Sequence, residues 1–399
     1  MKRKYLLKMG AFLVASVMLL SMLSGCISEK KEETPAPTTT AAPEKKHYKI
    51  GIMPFHTGCM WFDPFTAAGK WWLEAHGHEV IVANAEWDTQ KMNTILMAWA
   101  RDPDLDGVII APLGGQEVMP GIKALHDAGK AVILANNDAG YCPEAILEVE
   151  FGSYEANKAA AEKIVEMLTE KYGEPKGTII LGLGDIRTPE HVRRADGYRD
   201  VFKQYPNIEV YEIETRMTAD QAMTKTSDLL RSLPTVDAVV SVGMLEFMGM
   251  INALKRENKA YPVGDPNHII CVGMDTCPSI INPAVKEGIV DFVVDQPVLA
   301  YTPLAAYYLV KYLDEGPSAL PKAGDTITPA DVNIKVKPPY EGMDFYIPSD
   351  AWAPAEVVDT MDEFGHLWVK TNYRIIDKSN VDDPTLWSVI TQNITDWGF

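Results

Sequence analysis

Ten short runs of aliphatic and β-branched residues, separated by stretches of helical periodicity, constrain this chain more than any other feature. The first five are "KIGIM" (49–53), "EVIVANA" (79–85), "DGVIIAP" (106–112), "AVILANN" (131–137) and "ILEVEFG" (146–152). The second five are "TIILGLGD" (178–185), "IEVYEIET" (208–215), "DAVVSVGM" (237–244), "HIICVGMD" (268–275) and "IVDFVVDQP" (289–297). The third runs share a pattern: Leu105-Asp106-Gly107 then apolar, Val236-Asp237-Ala238 then apolar. Of the intervening helices, 154–173 is the plainest. Ser153 can cap it, Ala156, Ala160, Ile164 and Leu168 form one face, and Gly173 stops it. Near-continuous apolar strands alternating with helices predict an α/β chain whose parallel sheets are covered on both faces. Two sets predict two similar domains, with a ligand cleft where the carboxyl ends of the strands face each other.

After the tenth run the pattern changes. A helix is expected over 298–314, then a Pro-rich tail from about 317 with "KPPYEGMDFY" and "SDAWAPAEV". A last strand-like run, "LWVKTNYRIID" (367–377), fits a chain that returns through a hinge.

The N-terminus reads as an address. "MKRKYLLK" is basic, "AFLVASVMLL" is apolar, and "LSGC" ends at Cys26. A basic start, a short apolar run and small residues make an export signal, and the run is too short for a stable span. The ending resembles the bacterial lipoprotein cleavage box, in which the cysteine becomes the lipidated mature N-terminus. Acyl burial is worth ~0.8 kcal/mol per methylene, so several chains on Cys26 anchor the protein durably. "ISEKKEETPAPTTTAAPEKK" follows, with almost nothing to bury, and reads as an extended tether. The expected layout is a lipoprotein signal peptide over 1–25 and a disordered tether over 26–47. An N-terminal lobe takes 48–150 plus 297–370, and a C-terminal lobe takes 151–296 plus 371–399.

The net charge of −18 makes nucleic acid an unsuitable partner, because an acidic surface repels phosphate backbones. Outside the cytoplasm exposed cysteines tend to pair. Cys59 and Cys142 each follow a strand end in the same half, so a bridge between them is an option, while Cys271 sits mid-strand as core. No cysteine or histidine spacing suggests zinc, and neither metal nor cofactor is expected.

"TGCMWFDPF" (57–65) is unusually apolar for a loop leaving a strand. Either it packs into a core or it offers aromatic faces to a ligand. Asp63-Pro64 reads as the cap and first residue of the next helix.

Four features together carry a family resemblance. "VRRADGYRDVF" (192–202) contains an Arg-x-x-Gly-aromatic pattern at Arg194, Gly197 and Tyr198. "VGMD" (272–275) ends a strand in Asp275, and "VVDQP" (293–297) carries Gln296. With the ten-strand order, these make the chain similar to the type I periplasmic binding proteins of sugar ABC transporters, the ribose/galactose-binding group. The resemblance runs from about Tyr48 to Asp383 and is weakest between 317 and 365. It implies two Rossmann-like domains with a three-crossing hinge near 151, 296 and 370. It also implies that Arg194, Asp275 and Gln296 hydrogen-bond sugar hydroxyls while aromatics after the first strand sandwich the ring. An ungapped alignment puts Trp61 and Phe62 there, and a one-turn gap puts Phe65 there. Asn136 and Asn137 stand where many members carry Asp-Arg or Asp-Ser. Gly243 and Met244 stand where the family usually has Asn-Asp, with Glu246, Asp185 or water available to replace the lost contacts. Arg194 and Asp275 are expected to be able to pair in an empty cleft.

Planar side chains that make two parallel hydrogen bonds suit a hydroxyl edge, and aromatic rings suit C–H faces. Signals for catalysis are thin. "GLGDIR" resembles part of a dinucleotide fingerprint but lacks its third glycine, and P-loop, Gly-x-Ser-x-Gly and His-Glu-x-x-His motifs are absent. The expected protein is not an enzyme. It is an extracytoplasmic, lipid-anchored, monomeric solute-binding protein that captures a carbohydrate-like ligand by hinge closure and delivers it to an ABC permease. The alternatives are a sugar or autoinducer receptor for chemotaxis or a sensor kinase, and a nucleoside-binding lipoprotein.

Overall fold

The computed structural model describes residues 46–399. The export signal, Cys26 and nearly all of the tether lie outside the described residues. Among those described, no helix is long and apolar enough to cross a membrane.

The first half alternates strictly. It runs β1 (Lys49–Met53), α1 (Phe62–Ala75), β2 (Glu79–Val82), α2 (Thr89–Ala100), β3 (Leu105–Ile110), α3 (Met119–Asp127), β4 (Ala131–Ala135) and β5 (Leu147–Phe151). The second half repeats the scheme. It runs α4 (Ser153–Tyr172), β6 (Gly177–Gly182), α5 (Pro189–Phe202), β7 (Ile208–Ile213), α6 (Ala219–Ser232), β8 (Ala238–Ser241), α7 (Met244–Arg256), β9 (Ile270–Met274), α8 (Ile281–Glu287) and β10 (Phe292–Asp295). The remainder supplies α9 (Val298–Glu315), β11 (Thr326–Ile327), β12 (Ala355–Val358), β13 (Trp368–Thr371), β14 (Arg374–Ile376) and α10 (Trp387–Ile390).

These strands form two sheets, ordered β11-β12-β13-β5-β4-β3-β1-β2 and β14-β10-β9-β8-β6-β7. Removing the added strands leaves 5-4-3-1-2 and 10-9-8-6-7, one order used twice, with every pair parallel. The repeat read in the sequence is therefore a repeat of topology. Each sheet reverses its order between the first and third strands of its set, which is where ligands of such sheets sit. The interior strands β4, β5, β8, β9 and β10 are buried throughout, whereas the outer strands β2 and β7 are only partly so. Burial on both faces is why β4, β8, β9 and β10 show no polar alternation; β5, which carries buried Glu148 and Glu150, is the exception. Each fully buried Val, Ile or Leu contributes about 1.5–3 kcal/mol to the two cores.

The chain passes between the sheets after Phe151, after Asp295 and after Thr371. The run 367–377 is thus two strands rather than one. β13 pairs parallel to β5, and three residues later β14 pairs antiparallel to β10. The break falls at Asn372, whose side chain accepts from the Tyr373 amide at 3.0 Å and whose own amide bonds Trp352. The tail extends the first sheet through β12 and β11, and buries Trp352 and Ile347. Near the chain end, Trp397 stacks on Trp71 of α1.

Two cap readings need correction. Ser153 does not cap α4 but is its first residue, and its hydroxyl turns to Glu150 and Glu190. Gly173 does end that helix, at φ 75°. In α1 the helix begins at Phe62, not at Pro64. Asp63 accepts from the Gly58 amide at 2.8 Å and so folds the preceding loop back on itself.

Candidate ligand-binding cleft

Between the two sheets lies a narrow cleft with a cavity volume of about 60 Å³. It is lined from both halves by residues at or just beyond the carboxyl ends of strands. Trp61, Phe62, Asn136, Asn137, Arg194, Asp275 and Gln296, singled out from the sequence, all line it. Phe55, Cys59, Trp87, His191, Met217, Gly243, Met244, Leu245 and Glu246 complete the lining.

The first half contributes an aromatic wall. Phe55 packs on Phe62 with centroids 4.8 Å apart, Phe62 meets Trp61 edge-on at 4.8 Å, and Trp87 meets Phe55 and Phe62 at 5.7 and 5.8 Å. Such tilted and edge-to-face contacts are the favourable aromatic geometries, so the rings fix one another in place. Phe65 lies behind them, fully buried and stacked on Trp61. Met60 is not core: it is exposed at the rim, with its Sδ 3.1 Å from Cys277 Sγ.

No disulfide holds this wall. Cys59 and Cys142 are both free and buried. Cys142 is tied instead to the loop after β12, where its amide donates to the Phe364 carbonyl at 2.8 Å. The wall is set by ring packing and by the Asp63 turn, in which Asp63 also donates its amide to the Cys59 carbonyl.

The second half contributes the ionisable groups. Arg194 is buried under the cleft floor, with Nε donating to Glu190 at 2.8 Å and a terminal nitrogen to the Val242 carbonyl at 3.0 Å. Asp275 accepts from the Gln296 amide at 2.9 and 3.2 Å, and Gln296 in turn accepts from the Tyr301 hydroxyl at 3.1 Å. The expected Arg194–Asp275 pair does not form. Glu190, four residues earlier on the same helix, reaches the guanidinium first, and the Gln296 amide holds both Asp275 oxygens.

Burial pushes the Asp275 carboxyl up to about 7 even though the Arg194 charge opposes the shift. Burial likewise raises Glu246 to about 7, with its own backbone amide and Arg194 opposing. His191 is driven down to about 3 by burial and then by Arg194, so it is neutral. Its Nδ1 accepts from the Asp185 amide at 3.0 Å, which leaves the proton on Nε2. Three buried polar atoms of the lining have no hydrogen-bond partner: Trp61 Nε1, Asn136 Oδ1 and Glu246 Oε1. The Trp61 indole still lies near enough to Asp275 to favour its charged form.

Strained backbone marks the same places. Asn136, after β4, has φ 70°, and Asp275, after the equivalent β9, has φ 62°. Trp87 and Met217, after the equivalent β2 and β7, have φ 61° and 57°, each preceded by a second left-handed residue. Non-glycine residues held in this region are concentrated at ligand sites. Trp87 and Met217 escaped the sequence reading, although both directly precede a capping residue, Asp88 and Thr218, in matching segments of the repeat.

The profile of the periplasmic binding protein domain family matches residues 50–317. The chain belongs to this family. One relative within reach is the D-apiose import binding protein of Actinobacillus succinogenes, 20% identical over 244 residues, which span 61% of this chain and 74% of the relative. A Burkholderia graminis ABC transporter solute-binding protein in complex with D-arabinose superposes with a TM-score of 0.65 at 14% identity, covering 86% of this chain and 99% of that one. A Bacillus halodurans solute-binding protein with bound myo-inositol superposes with a TM-score of 0.64 at 17% identity, covering 86% and 99%. At such identities the structures speak for a common fold. Periplasmic binding protein architecture accounts for the doubled sheet, the three connections and the position of the cleft.

Proposed function

We propose that this protein is an extracytoplasmic solute-binding protein that captures a sugar or sugar-like ligand between its lobes and delivers it to an ABC permease. The observation that carries the reading is the division of the cleft. Aromatic rings from one half face Arg194, Asp275, Gln296, His191 and Glu246 from the other. A monosaccharide has C–H faces and a hydroxyl edge, and it needs both surfaces at once. The unpartnered Trp61 N–H, Asn136 Oδ1 and Glu246 Oε1 are the donors and acceptors that hydroxyls would satisfy. Relatives named for D-apiose import, and neighbours bound to D-arabinose and myo-inositol, support a small polyhydroxyl ligand.

In this reading the segments after Phe151, Asp295 and Thr371 are the hinge. Contacts made to the ligand from both halves favour the closed state, and the permease recognises that state. Lipid on Cys26 and the segment 26–47 hold a monomeric body near the membrane. No cofactor, metal or nucleic acid takes part.

The test is a thermal-shift screen of the purified protein against pentoses, hexoses, deoxy sugars, polyols and nucleosides. A ligand present at a hundred times its Kd stabilises the folded state by about 2.7 kcal/mol. A sugar or polyol is expected to raise Tm by several degrees. A shift from nucleosides alone, or from none of these compounds, overturns the proposal.

A further inference from the structure

Glu246 is the third residue of α7, is 1% exposed, and lines the cleft. Its Oε1 is buried without a hydrogen-bond partner. A carboxyl in that condition is costly to the protein unless something else completes it.

Its place is cut out of the surrounding backbone. A Cβ at Gly243 would lie 2.5 Å from Glu246 Oε1, and a Cβ at Gly184 would lie 2.6 Å from the same atom. At Gly184 the nearer obstacle is His191 Nδ1, and this glycine also has φ 68°.

The charges around it are already balanced. Arg194 is the one cation lining the cleft among the described residues, since His191 is neutral. Its guanidinium is engaged by Glu190 and the Val242 carbonyl. A ligand carboxylate or phosphate would thus meet the ionised fraction of Glu246 and Asp275, beside an Arg194 whose charge is already paired with Glu190.

We infer that Glu246 is a specificity-determining contact, taking a hydrogen bond from a hydroxyl of a neutral sugar and turning away sugars that carry a carboxylate or phosphate. The inference rests on the proposed sugar-binding reading and names the ligand class within it: neutral and rich in hydroxyl donors.

The experiment titrates the purified protein with D-arabinose, L-rhamnose, D-galactose, myo-inositol and D-galacturonate, following heat and Tm. Wild type is expected to bind at least one neutral compound and not D-galacturonate. Glu246→Ala should weaken the neutral ligand by about tenfold or more. Its ligand-free Tm should be unchanged or higher, because an unpartnered buried carboxyl has been removed; a merely structural role would lower it. Glu246→Gln, close in shape but uncharged, should admit D-galacturonate. Gly243→Ala should weaken binding in the wild type and add nothing further in Glu246→Ala. Wild-type affinity in Glu246→Ala, or equal binding of D-galacturonate and D-galactose by wild type, overturns the inference while leaving sugar binding intact. If wild type binds none of the neutral compounds, the sugar-binding reading fails and this inference fails with it.

Discussion

The guanidinium of Arg193, on α5, donates to the carboxylate of Asp138 in the loop after β4, joining the two halves beside the cleft. Each partner neighbours cleft-lining residues: Asp138 follows Asn136 and Asn137, and Arg193 precedes Arg194. Asp138 is 1% exposed, so a lost partner leaves a buried carboxylate. Breaking such a pair costs about 3–5 kcal/mol. In the proposed hinge opening Asp138 would be hydrated, so its share of that cost falls on the closed arrangement, while loss of the Arg193–Glu190 contact within α5 falls on both. Arg193→Ala is therefore expected to enlarge the radius of gyration of the ligand-free protein in small-angle scattering and to weaken ligand binding. An unchanged scattering curve together with wild-type affinity would sink the idea.

Around that pair, the Glu150 and Glu190 carboxyls are shifted in opposite directions although both are buried. Burial, then the Glu190 charge, holds the Glu150 carboxyl well above the usual carboxylate range. Glu190 is kept low against its burial by Arg194, by its hydrogen bond with Glu150 and by Arg193. Glu150→Gln should then be nearly neutral in a urea titration, since an amide resembles the protonated acid. Glu190→Gln should lose about 3–5 kcal/mol, because it leaves Arg194 without its anion. A loss for Glu150→Gln as large as that for Glu190→Gln would show that Glu150 is charged.

Most of the sheet strands were readable because a strand buried on both faces tends to be apolar along its length, as "AVILA" and "ICVGM" are. The seven cleft residues were readable because each belongs to a segment with a recognisable motif or strand end. What escaped depends on the third dimension. Trp87 and Met217 reach the cleft through paired left-handed residues that no periodicity signals. His191 sits on α5 and looks like a surface residue in the sequence, whereas Glu246, offered there only as a replacement contact, is brought to the cleft by the first turn of α7. The Cys59–Cys142 option rested on both residues following strand ends in the same half; both thiols are free and buried, and the Cys142 backbone is held by the loop after β12. The Arg194–Asp275 pairing failed similarly, because helical spacing places Glu190 within reach of Arg194.

Trp61 offers the cleft both a ring and an unpartnered N–H. Trp61→Phe keeps a ring and removes the donor, whereas Trp61→Ala removes both. Affinity for the ligand found in the screen should fall in the order wild type, Trp61→Phe, Trp61→Ala. The first step should be about 1 kcal/mol, as for a single net hydrogen bond. Calorimetric titration of the three proteins checks this. Equal affinities would mean that the ligand does not touch the indole.

The Asp275 carboxyl leads to a pH dependence whose sign is fixed. Its ordinary value is 3.8 and its folded value about 7, with burial as the main cause. The folded protein holds this proton longer than the unfolded chain does. Its contribution to stability is therefore full below about pH 4 and is lost as pH rises through about 7. Glu246, also raised to about 7, adds in the same direction. The other ionisable groups at the cleft do not titrate in this window: His191 is low and Arg194 stays charged. A ligand hydroxyl that donates to Asp275 or Glu246 favours the carboxylate, so binding should release protons near neutrality. Affinity should rise between pH 6 and pH 8, and Asp275→Asn in combination with Glu246→Gln should flatten the rise. Calorimetry in buffers of different ionisation enthalpy measures the protons directly. Proton uptake on binding would show that the ligand accepts from these carboxyls instead of donating to them.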